Sequence, residues 1–359
     1  MLSICIVTWN SMKFIKNCLE SVFNQTVLEE KNYEIKVAVN VVDNGSEDGT
    51  VDFIKRNYPQ VHVLKNINNL GFARGYNQAI KMCQADWTLV LNVDVVLDPD
   101  FLKKMFSAIK NSQDKVGSFG GKILKIETLR EESGLSKVVK SNKIDSCGLE
   151  VKKSRQVKNI GEGEVDRGQY DDLSQVFGFS GACVLYRREA LEDVKFREEY
   201  FDEDFFAYQE DYDLSYRLQL YGWQSTFVPG AKAYHFRSAR QSANKFFEIK
   251  KIVESRRQRS RLINYHSYKN HLFVLLKNEI GENFWRHFIF IFWYELRKFV
   301  FLLLFEQETL KALGQFFKLL PRMLLKRKII MSRRKVTAKY MRQLFSSSAA
   351  LGLGTKAGN

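Results

Sequence analysis

Val37-Ala38-Val39-Asn40-Val41-Val42-Asp43-Asn44-Gly45-Ser46-Glu47-Asp48-Gly49-Thr50 carries a β-branched apolar run straight into a turn of Gly, Asp and Ser. Such a run suits a strand buried on both faces of a parallel sheet. Asp43 then stands at the carboxyl end of that strand, where open α/β sheets collect their ligands. A carboxylate there can accept from a ring N–H or a ribose hydroxyl, so the corner reads as nucleotide-binding. The segment has neither G-x-G-x-x-G nor G-x-x-x-x-G-K-[ST], which argues against a dinucleotide site or a P-loop. Taken alone, Asp43 serves equally well as a turn or cap residue.

The flanking pattern extends the corner into a fold. Leu2-Ser3-Ile4-Cys5-Ile6-Val7 is a second buried strand, ending at Thr8-Trp9-Asn10. Ser11 is placed to cap a helix whose apolar positions Phe14, Ile15, Cys18, Leu19, Val22 and Phe23 share one face. Val61-His62-Val63-Leu64 predicts a third strand and Phe72 to Cys83 a helix. Trp87-Thr88-Leu89-Val90-Leu91 predicts a fourth strand, running into Asn92-Val93-Asp94. The order βαβαβαβ predicts an α/β protein with a parallel, doubly wound sheet.

The 359 residues exceed one ordinary domain, and the formal charge of +15 is unevenly placed. Residues 1–236 hold 30 Lys and Arg against 34 Asp and Glu, whereas residues 237–345 hold 25 against 7. The expected units are therefore a catalytic domain over 1–236, a basic helical region over 237–345, and a small, polar, Gly-rich disordered tail over 346–359. Within the basic region, Phe288 to Tyr294 and Phe299 to Phe305 are apolar runs, split by Glu295, Arg297 and Lys298. Neither reaches the ~18–20 apolar residues of a spanning helix. Aromatic helices flanked by Lys and Arg fit an anchor lying in the plane of an anionic membrane surface; the same faces fit a helical core or a homodimer interface. Nucleic acid is not expected as a partner, because the charge is interleaved with Phe and Leu runs rather than lining a recognition module. The five scattered cysteines read as buried free thiols of a reducing compartment, and the N-terminus has no basic secretory region.

Several residues carry possible chemistry. Asp94 closes the fourth strand and suits a hard cation such as Mg2+ or Mn2+, which would bridge a diphosphate. Asp98 and Asp100 read as a turn and cap for a helix starting near Phe101. Between Asn66 and Asn77, Gly71 and Gly75 allow close backbone approach and Arg74 offers a positive fork; tight helix packing explains the glycines as well. In the acidic stretch from Phe201 to Arg217, a helix beginning around Gln209 places Glu210 and Asp211 in its first turn, where the macrodipole favours carboxylates. Either a helix-end stabiliser or a general base fits. Asp213 and Arg217 are spaced as a routine surface ion pair. His235 reads as a metal ligand or a satisfied core histidine.

Thr8-Trp9-Asn10, Val42-Asp43-Asn44-Gly45-Ser46 with Asp48-Gly49-Thr50, Asn69 to Asn77, Asn92-Val93-Asp94, Gly181 to Arg188, and Tyr208 to Leu214 occur together in one order. That ordered set, over roughly residues 2–236, resembles family 2 glycosyltransferases, particularly the rhamnosyltransferase-like branch. The resemblance implies a GT-A fold and a nucleotide-sugar donor, dTDP- or UDP-linked. It implies that Asp43 holds the nucleobase, Asp94 the metal, and that Asp211 is the catalytic base, with Glu210 beside it. His235 would complete the metal or diphosphate site. Thr8, Trp9, Asn10, Asn44, Gly71, Arg74, Asn77, Asn92, Ser180 and Gly181 would line the donor. The family often has Asp-x-Asp where this chain has Asn92-Val93-Asp94, leaving one carboxylate.

The implied reaction is an inverting transfer, with L-rhamnose from dTDP-rhamnose as the branch's sugar. The acceptor would be a hydroxyl of a glycan or polyprenyl-diphosphate-linked saccharide in cell-surface polysaccharide synthesis. The expected location is cytoplasmic, at the inner face of the cell membrane. Two rivals are a sugar-1-phosphate nucleotidyltransferase and a basic nucleic-acid-binding protein. The first would want a Gly-rich phosphate loop with Arg and Lys near the N-terminus, and residues 8–13 supply only Lys13.

Overall fold

The computed structural model describes residues 1–28, 36–112, 114–130, 136–236, 256 and 260–345. The tail expected over 346–359 and most of 237–259 lie outside the described residues.

Strands and helices alternate as β1 (Leu2–Thr8), α1 (Met12–Phe23), β2 (Val37–Asp43), α2 (Thr50–Asn57), β3 (His62–Lys65), α3 (Gly71–Lys81) and β4 (Trp87–Leu91). β3, β2, β1 and β4 lie side by side and parallel, in the register Thr8 opposite Asp43 and Asp43 opposite Lys65. The carboxyl ends of β1, β2 and β3 are therefore level. Side chains alternate between two cores: Ile4, Ile6 and Val41 pack with Ile15, Leu19 and Val22 of α1 on one face, while Cys5 and Val42 pack with Ala73, Tyr76 and Ile80 of α3 on the other. Both faces are covered, which is why the strands read as unbroken apolar runs.

The chain continues through β5 (Val95–Leu97), α4 (Phe101–Lys110), β6 (Val116–Arg130), β7 (Ser136–Ser146), β8 (Leu149–Val151), β9 (Val157–Asn159), β10 (Gln175–Val176), β11 (Cys183–Arg187), α5 (Arg188–Val194), α6 (Glu210–Leu220) and β12 (Gln224–His235). The large sheet has the order β10-β12-β6-β11-β4-β1-β2-β3. β11 runs antiparallel to both β4 and β6, and β12 is parallel to β6. The sheet is thus mostly parallel rather than wholly so.

The C-terminal third is helical: α7 (Arg261–Asn278), α8 (Gly281–Arg286), α9 (Phe288–Phe305), α10 (Gln307–Leu310), α11 (Ala312–Ser332) and α12 (Ala338–Gln343). Phe273, Val274, Ile280, Met323, Ile330, Met341 and Phe345 join the core that also holds Tyr212, Leu214 and Tyr216 of α6. α9 behaves differently. It buries Ile291 and Leu302 but leaves Ile289, Phe290, Trp293 and Leu304 66, 52, 54 and 64% exposed. Among the described residues no helix is long and apolar enough to cross a membrane.

Three local expectations are corrected. Asp213 and Arg217 form no surface pair: both are buried, at 3.0 Å, because the C-terminal helices cover that side of α6. Ser11 occupies the cap position of α1 without capping it, its hydroxyl instead accepting from Trp9 N and donating to Trp9 O. Asp100 likewise precedes α4, but its carboxylate accepts from the Thr26 hydroxyl at 2.8 Å. The five cysteines are free thiols and four are buried.

Candidate active site

The first corner forms where β1 and β2 end together. Asp43 is 0% exposed. Its carboxylate accepts from the Thr8 hydroxyl at 2.9 Å, from Ser46 N at 2.8 Å and from the Ser46 hydroxyl. Asn10 takes a positive φ of 49° and donates its N–H to the Ser46 hydroxyl at 2.8 Å, tying the two strand ends together. Asn44 donates to Gly71 O at 3.1 Å and so joins the corner to α3. Trp9 stands 57% exposed at the rim, a free aromatic face beside a buried polar corner.

The second group depends on a ladder the sequence does not announce. β5 pairs antiparallel with the end of β12, placing His235 opposite Val95 and hence next to Asp94. His235 Nε2 lies 3.3 Å from Asp94 Oδ2, and its Nδ1 lies 2.9 Å from Asp145 Oδ2 of β7. Burial alone would lower the His235 pKa, but the Asp145 and Asp94 carboxylates override it and push it up to about 9. Among the described residues no three His, Cys, Asp or Glu side chains form a closed metal cage. A cation that also binds substrate phosphates needs only one or two protein ligands, and a histidine ligand is commonly oriented through its far nitrogen by a carboxylate. Asp94, His235 and Asp145 fit that arrangement.

The third group is the start of α6. Asp211 Oδ2 accepts from Gly181 N at 2.9 Å, and Oδ1 accepts from Tyr212 N at 2.7 Å. Glu210 is 5% exposed, and its Oε2 is buried without a hydrogen-bond partner. Burial, followed by the neighbouring Asp211 charge, raises its pKa well above the ordinary carboxylate range. The two adjacent carboxyls are thereby differentiated. Ahead of them, Phe206, Tyr208 and Gln209 take φ of 65, 70 and 71°, a bent entry that turns the helix start toward β11.

One cavity of about 840 Å3 brings most of these together, lined by Asn92, Asp94, His235, Ser180, Gly181, Glu210 and Asp211 among others. The sequence reading had no signal for Asp145, nor for the β8–β9 hairpin residues Glu150, Lys158 and Asn159 that form the opposite wall. Lys158 is the basic side chain besides His235 among the described lining residues. Arg74 is not among them: it is half-exposed, 3.7 Å from Glu203. Asn77 is buried behind the cavity, accepting from Tyr200 N and Phe201 N and donating to Phe201 O. Thr8, Asn10, Asp43 and Asn44 form the separate corner at the strand ends.

The sequence profile described as glycosyl transferase family 2 matches residues 3–195, more than half of the chain. The chain belongs to glycosyl transferase family 2. A second profile, glycosyl transferase family group 2, matches residues 162–325 and so reaches into the C-terminal helices of the transferase. The transferase is 26% identical over 234 residues to the N-acetylglucosaminyl-diphospho-decaprenol L-rhamnosyltransferase of Mycobacterium tuberculosis, a match covering 57% of this chain and 68% of that one. Its fold is similar to S. aureus TarS 1-349, solved in complex with UDP, at a TM-score of 0.51 and 19% identity over 96% of this chain and 90% of that one. It is also similar to GalNAc-T7, solved with UDP, GalNAc and Mn2+, at a TM-score of 0.54 and 13% identity over 77% and 48% of the two chains. The architecture of the transferase is therefore GT-A, with an added helical C-terminal region.

Proposed function

We propose that this chain is an inverting glycosyltransferase that moves a sugar from a nucleotide diphosphate onto an acceptor hydroxyl. The observation that carries the reading is the single cavity in which Asp211, held by Gly181 N, shares a wall system with the Asp94–His235 pair. In this reading Asp211 accepts the proton of the acceptor hydroxyl as its oxygen bonds to the anomeric carbon. The bond from that carbon to the diphosphate breaks, and the nucleotide leaves with the electron pair. Asp94 and His235 would hold a divalent cation, Mg2+ or Mn2+, which when bound neutralises the departing diphosphate. The corner of Thr8, Trp9, Asn10, Asp43 and Asn44 is assigned to the nucleoside, with Trp9 available for base stacking and Asp43 for its polar edge.

The donor sugar to test first is L-rhamnose from dTDP-rhamnose, because the Mycobacterium tuberculosis relative is an L-rhamnosyltransferase. That relative's name also supports a polyprenyl-diphosphate-linked acceptor. The exposed apolar face of α9 supports peripheral attachment at the inner face of the membrane, where such an acceptor lies. The nucleotidyltransferase and nucleic-acid readings gain no support from the family match.

Screening dTDP- and UDP-sugars by thermal protection and nucleotide release tests the assignment. Asp211→Asn is expected to lower kcat by roughly 10²- to 10⁴-fold while donor binding survives. Asp94→Ala is expected to abolish the metal-dependent part of the protection. Near-full turnover in the Asp211→Asn variant would assign the base elsewhere.

A further inference from the structure

The left-handed entry to α6 is an expensive place to start a catalytic helix. Non-glycine residues at positive φ cost of order 1 kcal/mol or more each, and Phe206, Tyr208 and Gln209 are three within four positions. Their conformation is held from outside by α7. Asn270, fully buried, donates through Nδ2 to Phe205 O at 2.9 Å, Ala207 O at 2.9 Å and Tyr208 O at 2.7 Å. Its Oδ1 is buried without a partner, so the amide contributes here as a donor alone. Lys269 Nζ donates to Asp204 O at 2.7 Å, and the His266 ring stacks on Phe206 at 5.1 Å.

The held segment leads directly into the base. Gln209 O accepts from Asp213 N at 2.9 Å, closing the first turn of α6, and Asp211 within that turn meets Gly181 N. Release of the carbonyls of 205, 207 and 208 would free the segment to relax toward right-handed φ and would move the Asp211 carboxylate off Gly181 N. On its other side α7 packs against α9 and α10, through Tyr268 with Leu302 and through His271 Nε2 on Glu295 Oε1 at 2.6 Å. The C-terminal region is therefore continuous with the catalytic loop.

We propose that Asn270 is a positioning residue that sets the location of Asp211 by clamping the backbone carbonyls of residues 205, 207 and 208. The proposal rests on the reading of Asp211 as the base. Asn270→Asp keeps the shape but faces three carbonyls with an acceptor; Asn270→Ala removes the donor with less repulsion, in case the first variant does not fold. Two readouts are taken on the full chain: steady-state transfer to a soluble acceptor, and amide hydrogen exchange of residues 206–213. The expected result is a kcat lower by roughly 10- to 100-fold, the scale of a misplacement near 1 Å, with donor KM held. Exchange across 206–213 should quicken while β1 to β4 keep wild-type protection. Wild-type kcat, unchanged exchange across 206–213, or equal loss of donor binding and kcat would each overturn the clamp. If the wild-type protein transfers no sugar at all, the functional reading fails, and the exchange measurement still decides whether Asn270 holds the segment.

Discussion

Gly71 shows how one absent methyl group organises the site. Its φ is +84°, and a Cβ built there would lie 2.5 Å from Phe206 O. Ala73 N donates to that same carbonyl at 3.1 Å. The missing side chain thus lets the start of α3 dock on the loop that leads into Asp211, whatever approach it also gives a ligand. Gly71→Ala combines a left-handed strain with a backbone clash. It is expected to cost about 1–3 kcal/mol of stability and to lower kcat by displacing Phe206. Urea melts alongside transfer kinetics check this; a variant with wild-type midpoint and turnover would show that the contact is not needed.

At the scale of elements, buried charge ties α6 to α7, and the segment ahead of α6 to both α7 and α11. Lys277 pairs with both Asp202 and Asp213, Lys326 with Asp202 at 2.5 Å, and Asn278 donates to Asp213 at 2.8 Å. Burial opposes ionisation of both carboxyls. Lys277 and Lys326 overcome it at Asp202, and Lys277 and Arg217 at Asp213, so both pKa values fall below the ordinary range. A carboxylate whose folded pKa is depressed contributes stability above its unfolded value, near 3.9, and loses that contribution as pH falls through the folded value. The transferase is therefore expected to lose stability steadily below about pH 4. Lys277→Met leaves two buried carboxylates short of a partner and should cost about 3–5 kcal/mol at pH 7. The gap between variant and wild type should narrow on acidification, because neutral acids tolerate burial. Urea midpoints taken from pH 7 to 3 measure both effects, and a gap independent of pH would mean that Lys277 acts through packing alone.

For the whole molecule, the question is what meets α9. The described C-terminal helices, residues 261–345, hold 17 Lys and Arg against 5 Asp and Glu. Like charge on two copies opposes self-pairing, whereas an anionic bilayer complements it, with each basic side chain near the surface worth about 1 kcal/mol. Flotation with liposomes should show binding that rises with anionic lipid and falls only partly in high salt. The informative variant is Ile289→Ser with Trp293→Ser and Leu304→Ser, since these side chains are exposed, whereas Leu302 is buried in the helical core. It should weaken flotation while leaving the melting temperature and transfer to a soluble acceptor intact. Wild-type indifference to anionic liposomes, or a triple variant that floats as well as wild type, would reassign α9 to another contact.

The strands β1 to β4, the helices between them and the corner at Asp43 were legible in the sequence, because apolar periodicity and turn chemistry act over a few neighbouring residues. The placement of Asp211 in the first turn of α6 was legible for the same reason. The pairing of His235 with Asp145 was not, since it joins residues 90 apart through the ends of two different strands. Nor was the burial of Asp213 and Arg217, whose i,i+4 spacing looks the same on a solvated helix as on a covered one. The clamp of Asn270 on the carbonyls of 205, 207 and 208 spans more than 60 residues and is made to backbone, which leaves no trace in side-chain pattern. Local chemistry in the sequence determined which elements form and where they end; the tertiary structure decided which charges are buried together and how Asp211 is held, because those depend on which surfaces the folded chain brings into contact.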